Sequence, residues 1–491
     1  MTKQEYLAQI DRVIAKGPYH ADWNSLSDRK TPDWYYKGKF GIFIHWGVYS
    51  VPAFGNEWYS RNMYVEGSKE FNHHVETYGS QKDFGYKDFI PMFDGKQFDP
   101  AEWIRLFKRA GARFIMPVAE HHDGFAMYAT DFNRWNAAEM GPRRNVIGEL
   151  KEASEKNGIV FCASSHRAEH FFFMNGGRTF NSDVNDPAYT DFYGPAVYDE
   201  RYAGDSVHVN SADPDVWGAP EEYLEDWLCR TCELIDRYQP KILYFDWWIH
   251  NRTFKPYLKK LAAYYYNRAA EWGAEVTIDY KHHAYPPTAA TYDVERGSIS
   301  GIAQRPWQSD TAIGVNSWGY TKDNLFKTTY EVLTTLIDVV SKNGMLLLNV
   351  GPKPDGTITE EETKVLLETG EWLALNGEGI YDTVPWRFCQ EGEHQPSAGV
   401  LNEEAVAYDE SDFRFTCKNN IAYAFQMKAP LGTEVLIRSF HRDRYGPCVK
   451  SVKMLGKDVV SGFFADENGL HISLSESVSD DFPVCYKIEL D

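Results

Sequence analysis

Long apolar stretches are missing from this 491-residue chain. A membrane-crossing helix needs roughly 18 or more apolar residues in a row, whereas the longest runs here, around Lys241–Trp248 and Gly344–Val350, have the length of strands. No membrane partner is expected. Positive charge is also short: 51 Lys and Arg stand against 71 Asp and Glu, a formal net charge of -20, which repels phosphate backbones and anionic surfaces. Nucleic acid is therefore not an expected partner. The seven cysteines are an odd count scattered over a long chain and make no disulfide framework. The first segment, MTKQEYLAQIDRVIAKGPYH, carries charges every few residues and lacks the apolar stretch of a secretory signal, so the expected location is the cytoplasm. Four motifs are absent: GxGxxG after the first strand, GxxxxGKS/T, GxSxG and HExxH. Dinucleotide, phosphate-loop, serine-hydrolase and zincin chemistry lose their support with them.

What is present is a globular pattern. From Phe40 to about Gly351, short apolar runs alternate with longer amphipathic ones, as expected of repeated strand-helix units around a parallel sheet. The strand candidates are Phe40–Gly47, Ala112–Glu120, Gly158–Ser165, Ile242–Trp248, Ala274–Tyr280 and Met345–Val350. Helices are expected from Asp99 or Pro100 to Ala110, and over Asn145–Asn157, Pro220–Tyr238, Phe254–Trp272, Asn324–Lys342 and Glu360–Leu375. With room for two less regular strands, this fits an α/β fold of the (β/α)₈ barrel type with long loops better than an open sheet. The Gly and Pro of NGEGIYDTVPW (Asn376–Trp386) end the helical pattern, and DFRFTCK, IAYAFQM, EVLIRSF, LHISLS and VCYKIEL then read as an antiparallel β-sandwich in a supporting role. The expected domains are a catalytic barrel over 1–380 and a β-sandwich over 381–491.

Chemistry in such barrels sits at the C-terminal ends of the strands. In ILYFDWW, strand alternation puts Ile242, Tyr244, Asp246 and Trp248 on one face and Leu243, Phe245 and Trp247 on the other. Asp246 then points inward. Burying its charge is costly unless the site solvates or pairs it, which marks a functional acid, the alternative being a loop cap or an arginine partner. The run FGIFIHWG aligns Phe43 with His45 and continues to Glu57, Trp58 and Arg61. A single histidine on an apolar strand is more commonly a satisfied core residue, but His45 comes at the strand's end, where loops carry function. AEHHDGF supplies Glu120, His121, His122 and Asp123; neighbours on a strand face opposite ways, so the two histidines chelate poorly unless the chain has already turned. Hydrogen bonding to a polyol suits them better. SSHRAEH, with His166, Arg167, Glu169 and His170, is by itself compatible with a solvated surface loop. Cys229 and Cys232 lie on a helical period with no second metal-ligating pair, so they read as packing residues.

Taken together, these blocks resemble the glycoside hydrolase family twenty-nine α-L-fucosidases. The matching segments are WYYKGKFGIFIHWGVYSVP with EWYSRNMY, HHDGF with GPRRNVIGEL, YFDWW, PWQSDTAIG with SWGY, and NGMLLLNVGPKPDGTI, in order from Trp34 to about Thr359. The resemblance implies a (β/α)₈-like barrel followed by a β-sandwich, and exo-hydrolysis of terminal α-L-fucose with retention. It implies Asp246 as nucleophile. His45, Glu57, Trp58, His121 and His122 match residues that bind the sugar hydroxyls, while Phe43, Tyr244 and Trp318 fall where the family lines the pocket for the methyl group of fucose. Glu295 in TYDVERG is the choice for general acid/base, with Asp293 and Asp310 as competitors. Three departures stand out: Asn145 where Asp is usual, Gln308 where Glu is frequent, and SSHRAEH in place of a shorter aromatic-rich stretch.

The implied partner is a fucosylated glycan, with no cofactor and no metal needed. A barrel of this kind is compatible with a homo-oligomer, and α1,2, α1,3/4 and α1,6 links all present the same terminal sugar. Two other readings follow from the same residues: a metal-dependent barrel hydrolase on His45, His121, His122 and Asp246, and a barrel that binds fucosylated glycans without cleaving them.

Overall fold

The computed structural model describes residues 2–194, 218–441, 443 and 448–491. Its first unit is a parallel sheet that closes on itself. The staves are β1 (Phe40–Ile44), β2 (Phe114–Glu120), β3 in two pieces (Val160–Phe161 and Ala163–Ser165), β4 (Ile242–Phe245), β5 (Thr277–Tyr280), β6 (Thr291–Glu295), β7 (Trp307–Ala312) and β8 (Gly344–Val350). Each pairs with the next, and β1 closes the ring by pairing with both β2 and β8, Gly41 opposite Phe114 and Leu347. The expected barrel is therefore found. The two less regular staves are β6 and β7, whose sequences TYDVE and WQSDTA put polar side chains inside the ring.

Alternation along the staves sorts the side chains into two layers. Ile242 and Tyr244 join Phe43, Phe114, Met116, Cys162 and Met345 in a core inside the ring. Leu243 and Phe245 instead join the larger core between strands and helices. Cys229 and Cys232 pack in that outer core from helix Glu221–Tyr238, as their spacing suggests. Elsewhere the expected bounds shift for local reasons. β1 stops at Ile44, so His45 already stands beyond the strand. The helix expected from Asn324 starts at Thr329, because Thr328 and Glu331 form a reciprocal capping box there. Asn145, one of the unusual residues, caps helix Val146–Asn157 by accepting from the Gly148 N–H at 3.2 Å, a task that Asn performs as well as Asp.

Among the described residues eight antiparallel strands follow: β9 (Val384–Glu391), β10 (Phe413–Lys418), β11 (Ile421–Gln426), β12 (Glu434–Ile437), β13 (Val449–Met454), β14 (Val460–Ala465), β15 (Leu470–Leu474) and β16 (Val484–Leu490). They form one sheet in the order β9-β10-β11-β16-β13 and another in the order β12-β15-β14, sharing a core around Trp386, Phe415, Ile472 and Tyr486. Support is not this unit's whole role. Between β9 and β10 the chain runs back across the barrel mouth: Gly399 N–H donates to Ser298 O at 2.9 Å and Leu401 N–H to Glu295 O at 2.8 Å. That approach requires glycine at 297, where a Cβ would stand 1.9 Å from the Gly399 carbonyl oxygen.

A buried ion pair ties the units together. Arg414 on β10 donates through Nε to Asp338 Oδ1 at 2.7 Å, and Lys342 meets the other oxygen at 2.8 Å. Asp338 is thereby held below the usual carboxylate range, although its burial pushes the other way. Arg414→Met leaves Asp338 short of one cation and should cost about 3–5 kcal/mol of stability. Denaturant unfolding checks this; an unchanged midpoint would contradict the ion pair's role.

Candidate active site

A cavity of about 460 Å³ opens at the C-terminal ends of the staves. All ten residues singled out from the sequence line it: Phe43, His45, Glu57, Trp58, His121, His122, Tyr244, Asp246, Glu295 and Trp318. Three elements explain this convergence. His45 follows β1, Asp246 follows β4, and Glu295 ends β6, so each side chain leaves its stave at the same end of the ring. β2 ends at Glu120, and the chain turns before His121 and His122, which removes the opposition expected of strand neighbours; their rings lie 4.3 Å apart. The alternation of ILYFDWW ends at Phe245, and Trp247, expected to face away, turns into the cavity and donates its indole N–H to Glu295 Oε2.

At the centre is Lys281, which sequence reasoning missed. Its Nζ stands 3.2 Å from Asp246 Oδ1, 2.5 Å from Glu295 Oε2 and 3.4 Å from Asp310 Oδ2. One ammonium touching both carboxylates means that these two oxygens can be no farther apart than the two contacts laid end to end. On its other oxygen, Asp246 has His122 Nε2 at 3.3 Å and His166 Nδ1 at 3.2 Å. Burial alone would push the Asp246 carboxyl up, but Lys281, His166 and His122 outweigh it and hold Asp246 well below the usual range. Glu295 goes the other way: burial raises it, Lys281 opposes, and the negative charges of Asp310 and Asp246 add to the rise. The environment thus shifts two like groups in opposite directions, Asp246 down and Glu295 up.

The competitors for the acid role are differently placed. Asp293 is outside the cavity lining; Gln308 Nε2 donates to its Oδ1 at 2.7 Å, and burial, helped by Asp310, pushes the carboxyl well up. Gln308 also accepts from Tyr35 OH at 2.6 Å, so the second unusual residue is a bridge inside the ring. Asp310 does line the cavity, where Tyr244 OH donates to its Oδ2 at 2.9 Å.

The histidines divide by charge. His122 donates from Nδ1 to the His166 carbonyl at 2.8 Å, and although burial disfavours its charged form, Glu169 and Asp246 raise it to about 9. It is an imidazolium at neutral pH, with a proton on Nε2 facing Asp246. Burial and the neighbouring His166 hold His45 well below its ordinary value. Its Nδ1 pairs with Asn349 Oδ1 at 2.6 Å, and Asn349 is itself oriented by donating to Trp318 O at 2.7 Å, so Nδ1 carries the proton and Nε2 is left as an acceptor. Burial and His122 likewise keep His121 neutral. Glu57 Oε2 accepts from Ser317 Oγ and from Trp318 N–H, both at 2.9 Å, which fixes the carboxylate at the rim. Phe43, Tyr244 and Trp318 make the apolar wall: Phe43 lies 5.1 Å from the Tyr244 ring and 6.1 Å from Trp318.

SSHRAEH proves to be no solvated loop. His166, Arg167, Glu169 and His170 are all buried, because Arg167 pairs with Glu120 and, at 3.1 Å, with Asp226, while Arg230 meets Asp226 at 2.7 Å. A segment rich in charged groups stays inside when each charge finds its partner. Leu401, from the segment before β10, completes the rim.

Two buried groups among the described residues have metal-ligand spacing, His45 with His121 and His166, and His122 with His166 and Asp246. In the second, Lys281 and His122 already supply positive charge to Asp246, and the Nδ1 atoms of His45 and His122 are committed to Asn349 and to a backbone carbonyl. An electrically saturated carboxylate is a poor ligand, which weighs against the metal-hydrolase reading.

An acid pair in a pocket lined by hydrogen-bonding groups and by aromatic side chains is what a deoxy sugar requires. Comparison with known proteins agrees. Residues 6–378 match the family described as Alpha-L-fucosidase. The chain is 30% identical over 414 residues to the tissue alpha-L-fucosidase of Homo sapiens, covering 79% of this chain and 81% of that protein. To the tissue alpha-L-fucosidase of Rattus norvegicus it is 31% identical over 396 residues, covering 77% and 76%. The crystal structure of Thermotoga maritima alpha-fucosidase in complex with fucose is similar at a TM-score of 0.73 and 28% identity, covering 96% of this chain and 100% of that one. The chain belongs to the alpha-L-fucosidase family of glycoside hydrolases.

Proposed function

We propose that the cavity removes terminal α-L-fucose from fucosylated glycans by double displacement with net retention, through Asp246 as nucleophile and Glu295 as acid/base. The observation that carries this is the shared contact of Lys281. It holds one oxygen of Asp246 and one of Glu295 closer than the roughly 6.5 Å at which inverting pairs begin, which supports a retaining pair.

In the first step the ionised Asp246 attacks the anomeric carbon while protonated Glu295 gives its proton to the departing oxygen. The negative charge thereby moves from one carboxyl to the other, so the net charge of this pair facing Lys281 is the same before and after. Glu295 is then stabilised as a base when it must take a proton from the water that opens the fucosyl-enzyme. His122, still charged, faces one oxygen of Asp246. The neutral His45 and His121 and the fixed Glu57 supply hydrogen-bonding groups for the sugar hydroxyls, and Phe43, Tyr244 and Trp318 an apolar wall for the methyl group. Seven free cysteines support a reducing compartment as the place where this happens.

Asp246→Ala should abolish turnover of an aryl α-L-fucoside without loss of fold; wild-type activity in that variant would refute the nucleophile assignment. Glu295→Ala should harm natural glycosides far more than substrates with a good leaving group, and azide should restore it, whereas equal losses on both would favour Asp310. Because Lys281 depresses Asp246, and activity needs Asp246 ionised, removing the ammonium must move the low-pH limb of kcat/KM upward. Lys281→Met is expected to do that and to lower kcat/KM on the order of 10²-fold at neutral pH; an unmoved acid limb would contradict the arrangement.

A further inference from the structure

Glu169 has no part in the steps above, yet it lines the same cavity. It ends the short turn Arg167–Glu169 and is 2% exposed. Its Oε2 is buried without a hydrogen-bond partner among the described residues. An acceptor left unmade in a protein interior is costly and calls for an explanation, and at the wall of a cavity a bound ligand supplies one. The loop cannot relax to complete it internally: Arg167 is pinned by Glu120 and Asp226, the Tyr223 hydroxyl holds the Arg167 carbonyl, and His170 Nδ1 is bonded to His122 O at 2.9 Å. The residues flanking Glu169 are thus fixed, and Glu169 lines the cavity with Phe172, Trp248 and His122.

Resting on the fucosidase reading of this cavity, we propose that Glu169 is a sugar-recognition residue whose carboxyl bonds one ring hydroxyl of the fucosyl unit, selecting the glycon without transferring a proton to the leaving group. The group suits a hydroxyl partner in both directions. Burial, opposed by His122 and aided by Asp246, raises the carboxyl to about 7, so near neutral pH it can donate as well as accept. Its other contribution is electrostatic, since its charge helps keep His122 protonated.

The test is a cycle of substrate and protein deletions on the full chain. Wild type, Glu169→Gln and Glu169→Ala are assayed on 4-nitrophenyl α-L-fucoside and on its 2-, 3- and 4-deoxy analogues. In wild type, loss of the hydroxyl that Glu169 binds should lower kcat/KM by roughly tenfold to a hundredfold, the worth of one hydrogen bond to a carboxyl. In Glu169→Ala that same deoxygenation should cost almost nothing, while the other two cost what they cost in wild type. Glu169→Gln keeps the shape and the hydrogen-bonding capacity and should recover most of the affinity, which separates recognition from a folding defect. If all three deoxygenations cost Glu169→Ala as much as wild type, the proposal is wrong. It is equally wrong if the loss in Glu169→Ala grows as the leaving group worsens, which would make Glu169 the acid. Failure of wild type to turn over the parent fucoside would strike the fucosidase reading instead.

Discussion

One buried ammonium group governs this active site. Lys281 meets Asp246, Glu295 and Asp310 at the mouth of the ring and is itself almost wholly buried. Several acids around one lysine cannot all be charged in a medium of low dielectric constant, so the site settles which are. Asp246, with Lys281 on one oxygen and two histidines on the other, is held well below the usual carboxylate range; Glu295, buried beside Asp310 and Asp246, is raised despite its contact with Lys281. A retaining glycosidase needs that asymmetry, and it needs it to reverse once the covalent bond forms. A cation lying between the two groups permits the reversal because the net charge that it faces stays constant.

The rest of the fold serves to make such a dense set of charges rigid and dry. Asn349 and Trp318 lock the tautomer of His45; the Arg167, Glu120, Asp226 and Arg230 group fixes the loop after β3; and the segment before β10 is laced to Glu295 and Ser298 by backbone hydrogen bonds. Preorganisation of this kind costs stability locally and returns it as transition-state stabilisation, since the dipoles need not reorient during the reaction. The β-sandwich takes part in it, both through Arg414 on Asp338 and through Leu401 at the rim.

The barrel was legible where its staves are apolar on both faces, as in GIFI, FIMPVA and MLLLNV, because buried parallel strands read as continuous hydrophobic runs. It was faint at β6 and β7, whose inward residues Asp293, Glu295, Gln308 and Asp310 are polar for the sake of the site. Ten cavity residues were found through the resemblance of motif blocks, and strand ends pointed independently to His45 and Asp246. Lys281 escaped notice since a lysine after a strand is ordinarily solvated; its signal was the strand TIDY immediately before it, which places it at the same ring end as Asp246. Glu169 escaped for a related reason. HRAEH looks hydrophilic until its partners, Glu120 and Asp226, are brought from elements about fifty residues away on either side. Long-range charge pairing of that sort leaves no local periodicity.

The most direct measurement of the central claim is capture of the covalent intermediate. A 2-deoxy-2-fluoro-α-L-fucosyl fluoride slows both steps but keeps a good leaving group, so the sugar accumulates on the nucleophile and peptide mass spectrometry locates it. The account predicts stoichiometric labelling on the peptide that contains Asp246, lost in Asp246→Ala. Label on another carboxylate, or inactivation without any covalent adduct, would contradict it.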